Sequence, residues 1–111
     1  MMDFNEYQEL ASTTAIYPGK GTIIGLCYAG LGLGEAGEVQ GKIKKVLRDD
    51  DGILTNEKAD AIAGELGDGL WYLSAVAEGI GWTLDEIAES NIAKLFDRKD
   101  RGVLKGSGDY R

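Results

Sequence analysis

The 111-residue sequence predicts an all-α fold, an antiparallel helix bundle of four main helices, on three observations. Apolar residues recur at steps of three and four through most of the chain. No run alternates apolar and polar residues over strand length between turn signals, and no solenoid-type repeat is present. The segment boundaries carry helix caps and breakers rather than hairpin turns.

The elements follow in order. The only proline, Pro18, lies in Tyr17-Pro18-Gly19-Lys20-Gly21 and ends a first helix that begins near Asp3 and repeats Phe4, Tyr7, Leu10, Ala11 and Thr14 on one face. A second, longer helix is expected from about Thr22 to Arg48. It stops at Asp49-Asp50-Asp51-Gly52, where three acids oppose the negative end of the helix dipole. The third starts with Asn56 as N-cap and continues to Gly79, with Ala59, Ile62, Leu66, Leu70, Leu73 and Ala77 on one stripe. Thr83-Leu84-Asp85-Glu86 has the spacing of a capping box, so a fourth helix starts there and runs to about Lys99. Residues 100–111 form a polar, glycine-rich tail or ligand-covering loop within one domain that spans the chain.

Composition removes many functions. A net charge of −7 is the wrong sign for a protein that wraps a nucleic-acid polymer by releasing its counterions. A small phosphorylated ligand remains compatible, because a divalent cation inverts the potential of an acidic site. With no histidine and one cysteine, zinc sites of the Cys/His type, histidine bases, Glu-x-x-His di-iron bundles and Ser-His-Asp triads are unavailable, and carboxylates must carry any catalysis. Cys27, in an apolar stretch, is expected in the core. The sequence starts without a basic n-region or apolar h-region, and no stretch reaches membrane-spanning length without polar interruption, so the reading is cytoplasmic with no membrane partner. Small apolar-rich helices gain stability by pairing with a second copy, which makes a homo-oligomer the expectation.

The chemistry concentrates in two acid pairs. Glu35 and Glu38 are three residues apart, as are Glu65 and Asp68, and on a helix each pair shares one face. Steps of three and four through the second helix pass Ile24, Tyr28 and Leu31 before Glu35, Glu38 and Lys42. The same walk in the third gives Ala61, Glu65, Asp68, Tyr72, Ala75 and Gly79. Both pairs are therefore expected to look inward. Lys42 suits an ion pair with Glu38 four residues before it, while Glu35, Glu65 and Asp68 have no cation at three or four residues. Surface acids are usually solvated, but four converging from adjacent antiparallel helices repel unless protonated or bound to a cation. Oxygen-only ligation suits Mg²⁺ or Mn²⁺, and Mg²⁺ also bridges substrate phosphates.

Other features support a nucleotide. On the fourth helix Asn91, Lys94 and Arg98 aim an amide and two cations along one face, which suits phosphates; an exposed stripe favoured by the helix dipole is the plainer reading. Trp71, Tyr72 and Trp82 could stack on a base, although large aromatics at helical spacing more often form core or interface. Gly30, Gly34, Gly37 and Gly41 lay a smooth strip beside the acids, suited to close packing of another helix, and it is no phosphate loop because no Walker sequence follows a strand.

Gly34-Glu35-Ala36-Gly37-Glu38, Glu65-Leu66-Gly67-Asp68 and Asn91-Ile92-Ala93-Lys94-Leu95 with Arg98 together resemble the MazG-like, all-alpha nucleoside triphosphate pyrophosphohydrolases, over a span from about Gly30 to the tail. The resemblance implies metal ligation by Glu35, Glu38, Glu65 and Asp68, phosphate or nucleotide contacts from Asn91 and Lys94, cleavage between the α- and β-phosphates, and dimers or tetramers. Gly34 departs from the many relatives that carry a further glutamate there. The resulting expectation is Mg²⁺-dependent hydrolysis of ribo- or deoxyribonucleoside triphosphates to the monophosphate and pyrophosphate, clearing the nucleotide pool. Glu38 and Glu35 are the catalytic candidates, and Lys94, Arg98 and Lys42 stabilise the leaving pyrophosphate. The rivals are an inactive nucleotide-binding or regulatory helical oligomer and a purely structural homo-oligomer.

Overall fold

The computed structural model describes residues 1–111. Five α-helices and one 3-10 turn follow each other with no strand: α1 Phe4–Ser12, α2 Ile23–Leu33, the 3-10 turn Gly34–Ala36, α3 Gly37–Asp49, α4 Asn56–Gly79 and α5 Leu84–Asp100.

Local chemistry explains most boundaries. The Asp3 carboxylate accepts the Glu6 N–H at 2.8 Å and so caps α1. The Thr13 and Thr14 hydroxyls donate to the Leu10 and Ala11 carbonyls, both at 2.7 Å, so α1 ends at Ser12, short of the proline. Thr55, not Asn56, is the N-cap of α4; its hydroxyl accepts the Lys58 N–H at 3.2 Å, and Asn56 is the first helical residue. The capping box at Thr83 forms as expected, with the Glu86 carboxylate accepting the Thr83 N–H at 3.0 Å and the Thr83 hydroxyl accepting the Glu86 N–H at 3.1 Å.

The expected second helix is two helices. Thr22 caps α2, and Gly34–Ala36 tightens into a 3-10 turn before α3 begins. Gly32, Gly34 and Gly37 explain the break, since each costs about 1 kcal/mol of helix propensity relative to alanine and three fall within six residues.

Helix α4 is the centre of the fold, packed against α1, α2, the 3-10 turn and α3. Three pairings run in opposite chain directions: Lys42 with Glu65, Gly32 under the Tyr72 ring and Leu26 against Gly79. The α2–α3 arm is therefore antiparallel to α4, as expected. Gln8 of α1 ties down the start of α5, its Nε2 donating to the Trp82 carbonyl at 3.0 Å and its Oε1 accepting the Leu84 N–H at 2.9 Å.

Packing within the protomer is sparse. Only ten of the 111 residues are buried. The α2 stripe expected to face inward instead faces out, with Ile24 at 69% and Leu31 at 74% exposure, because Gly25 and Ala29 are the α2 residues buried in the protomer. Cys27 is exposed for the same reason, contrary to its expected core position. Nothing in the chain covers the strip Gly30, Gly34, Gly37 and Gly41, contrary to the close helix packing expected there. The surface totals 8088 Å², whereas a compact chain of this mass exposes about 6000 Å². The radius of gyration is 16.9 Å, against about 13 Å for a compact domain of this length.

A Cβ at Gly25 would collide with the backbone of Gly19 and Lys20, which no side-chain rotation relieves. Gly25→Ala is expected to lower stability by about 1–3 kcal/mol. Its urea midpoint, measured against wild type, checks this.

Candidate metal and nucleotide site

The antiparallel register brings both acid pairs to one place. Glu35 stands in the 3-10 turn, Glu38 in the first turn of α3, and Glu65 and Asp68 one helical turn apart on α4. All four line a cleft of about 370 Å³, with Gly32, Ala36, Gly69, Trp71 and Tyr72 completing its walls. Gly32 is what allows the Tyr72 ring to pack closely against α2, since a Cβ there would run into the ring.

Like charges crowd this cleft. The Glu38 carboxyl is held above the usual carboxylate range, first by the negative charge of Glu65, then by a proton it can share with that carboxylate, and by Glu35. Lys42 opposes the effect more weakly. Contrary to the expected pairing with Glu38, Lys42 crosses to α4 and stands 3.7 Å from Glu65. The Tyr72 hydroxyl is pushed up by partial desolvation and then by Glu35, Asp68 and Glu38 among its neighbours, and the Tyr7 hydroxyl by desolvation and then Asp68. The field of the acids therefore reaches beyond the helices that bear them, to Tyr7 on α1.

The donor set suits a hard divalent cation, being all oxygen and free of histidine and thiolate, and the Glu38 shift shows negative charge that Lys42 leaves unneutralised. As the side chains stand, no three acids converge tightly enough to ligate one ion. Rotamer changes at Glu35, Glu38, Glu65 and Asp68 within the shared cleft would be part of loading it.

An aromatic cavity adjoins the cleft. Tyr17 and Tyr28 stack at 5.3 Å with an interplanar angle of 12°, Tyr17 meets Trp71 edge-on at 6.2 Å, and Trp71 meets Tyr72 edge-on at 5.2 Å. Trp71 and Tyr72 line both spaces, the second measuring about 330 Å³. The Trp71 Nε1 donates to the Thr14 hydroxyl at 2.8 Å, which fixes the ring. Sequence periodicity points to Trp71 and Tyr72 but not to Tyr17, which lines the aromatic cavity from the loop after α1, nor to Tyr7 of α1, whose hydroxyl feels the Asp68 charge. Trp82 lies elsewhere, beside the α1 residues Asn5, Gln8 and Glu9.

The amide and basic candidates on α5 are not among the residues that line the cleft. Asn91 and Lys94 are exposed. Arg98, only 5% exposed, donates to the Asp109 carbonyl at 2.7 Å, so it holds the tail rather than facing an open phosphate site. The tail is correspondingly folded back, with Arg101 donating to the Arg111 carbonyl and Arg111 donating to the carbonyls of Val103, Leu104 and Gly108.

The Glu38 shift sets a pH dependence. Repulsion raises its folded-state pKa, so its anion opposes the fold, and this penalty grows as pH rises through that pKa. In metal-free buffer at neutral pH, Glu38→Gln should have the higher urea midpoint. The gap should close at acidic pH, where the wild-type carboxyl is protonated in both states. A midpoint series across pH for the two proteins measures it.

A family model described as the MazG nucleotide pyrophosphohydrolase domain matches residues 29–103. The chain is similar to the "Gene 37 protein" of Mycobacterium phage L5, with 49% identity over 114 residues, 99% of this chain and 100% of that protein. No solved structure matches. The matched span takes in both acid pairs and α5, and the chain belongs to the MazG nucleotide pyrophosphohydrolase domain family.

Proposed function

We propose that this protein is a Mg²⁺-dependent hydrolase that converts ribo- or deoxyribonucleoside triphosphates to the monophosphate and pyrophosphate, clearing the cytoplasmic nucleotide pool. The observation that carries the reading is the lining of one cleft by Glu35, Glu38, Glu65 and Asp68 beside an aromatic cavity, in a family of nucleotide pyrophosphohydrolases.

In this reading the four carboxylates hold Mg²⁺, with Mn²⁺ as the alternative, and the base stacks among Tyr17, Tyr28, Trp71 and Tyr72. The ion supplies charge neutralisation on the phosphates and acidifies water. Glu38 is the group proposed to take the proton of the attacking water, with Glu35 assisting; its raised basicity supports that role. Lys42, which stands beside Glu65, and Asn91 and Lys94 stabilise charge on the leaving pyrophosphate. Arg98 acts through the tail it holds, keeping residues 101–111 folded against the end of α5. The working form is a homodimer or homotetramer. An excess surface of about 2000 Å² per chain is on the scale that obligate interfaces bury. No helix is long and apolar enough to cross a membrane.

One observation favours a second reading, a nucleotide-binding regulatory oligomer without hydrolysis: the acids stand apart from ligation geometry, with Lys42 beside Glu65. Nucleotide recovered intact after long incubation with Mg²⁺ would support it.

Pyrophosphate release from a panel of ribo- and deoxyribonucleotides tests the proposal. Wild type should turn over at least one of them, and Glu38→Gln and Glu65→Gln should each lower kcat by about 100-fold or more. Equal turnover by all three proteins would remove the mechanism.

A further inference from the structure

A second concentration of negative charge lies away from the carboxylate cleft. From Asp3 to Ser12 the chain carries three acids and no base, and from Asp85 to Glu89 it carries three more, again with no base. Neither these nor Glu78 of α4 takes part in an ion pair. Asp3 caps α1, and Glu6, Asp85 and Glu86 stand in first turns, where the positive end of the dipole favours an acid. Glu9 and Glu78 stand at the opposite ends. They fall in the last turns of α1, which ends at Ser12, and of α4, which ends at Gly79, where the negative end of the dipole disfavours a carboxylate.

Both line one groove of about 510 Å³ between α1 and the α4–α5 corner, with Asn5, Ser12, Trp82 and Thr83 among its other walls. It shares no residue with the carboxylate cleft or the aromatic cavity. Its frame is fixed, because buried Gln8 holds the Trp82 carbonyl and the Leu84 N–H, and the Asn5 Oδ1 accepts the Asp85 N–H at 3.4 Å. Trp82 is 43% exposed. An ammonium of the chain itself is already drawn to this place. Lys20 Nζ donates to the Ser12 carbonyl at 2.8 Å and to its hydroxyl at 2.9 Å, and that hydroxyl donates to Glu78 Oε1 at 2.8 Å. Because α1 lies outside residues 29–103, one wall of the groove is added to the matched domain by this chain's own first helix.

We infer that this groove docks an arginine of a basic protein segment, its guanidinium stacked on the Trp82 indole and paired with Glu9 and Glu78. Charge complementarity selects the partner. A planar guanidinium covers an indole face and forms paired hydrogen bonds with a carboxylate, which neither a lysine ammonium nor the slender chain of a polyamine does. Asp3 and Glu6 on α1, with Asp85, Glu86 and Glu89 on α5, extend the negative field along both helices, so cations flanking that arginine in the segment also meet opposite charge.

Fluorescence anisotropy of a labelled peptide of alternating arginine and serine, titrated with the full chain, tests this. Saturable binding that weakens with added salt is expected. Glu9→Gln combined with Glu78→Gln should weaken it about 5-fold or more, and Trp82→Leu, which keeps bulk and loses the π face, about 3-fold. Glu35→Gln combined with Glu65→Gln removes the same charge from the other site and should leave the affinity unchanged. The two carboxylate pairs decide on their own if Trp82→Leu does not fold. Equal weakening by both pairs would show attraction to net charge alone and overturn the assignment, as would the absence of saturable binding to wild type. A lysine–serine peptide or spermidine binding as tightly as the arginine peptide would overturn it as well.

Discussion

The crowding of Glu38 against Glu65 across the α3–α4 pair is the constraint from which the rest of the structure follows. Antiparallel packing fixes these carboxylates on facing helices, and the short connection from Asp50 to Thr55 gives the two arms little freedom to separate. Lys42, 3.7 Å from Glu65, relieves part of the repulsion but leaves the Glu38 carboxyl above its usual range. A fold selected for stability alone would place neutral or alternating residues here. Retaining four acids in one cleft is the arrangement expected where bound cation and phosphate complete the electrostatics.

Glycine shapes that cleft at two levels. Gly32 admits the Tyr72 ring against α2, so the wall that Tyr72 gives to both the acid cleft and the aromatic cavity depends on a missing side chain, while Gly25 admits the Gly19–Lys20 backbone at the start of α2. Gly34 opens the 3-10 turn that carries Glu35 and Gly37 opens α3, placing one acid before α3 and the other within its first turn. The remaining glycines of this arm meet nothing in their own protomer. With the outward stripe of Ile24 and Leu31 and the uncovered middle of α5, they leave a broad apolar and backbone surface open.

How much of this was legible depends on the range of the interaction. The acid pairs could be read because spacing by three survives even where the helix tightens, and because polarity amid apolar neighbours marks a special face. The Thr83 capping box could be read because all its partners are local. The break at Gly34–Ala36 was present in the sequence as clustered glycines, but the same glycines also suit a packing strip, and propensity alone does not separate the two. Lys42 turning to Glu65, Arg98 turning to Asp109, and Tyr17 lining the aromatic cavity depend on tertiary placement that periodicity does not encode. Cys27 and the α2 stripe were assigned to a core because apolarity signals burial without saying whether the burying surface belongs to the same chain.

The central claim is that the four carboxylates share one hard cation. Electron paramagnetic resonance of Mn²⁺ titrated with the protein tests it most directly, because only the free aqueous ion gives the sharp six-line signal. The account predicts saturable loss of that signal with wild type and its return with Glu65→Gln. A signal undiminished by wild type, or equally diminished by Glu65→Gln, would contradict it.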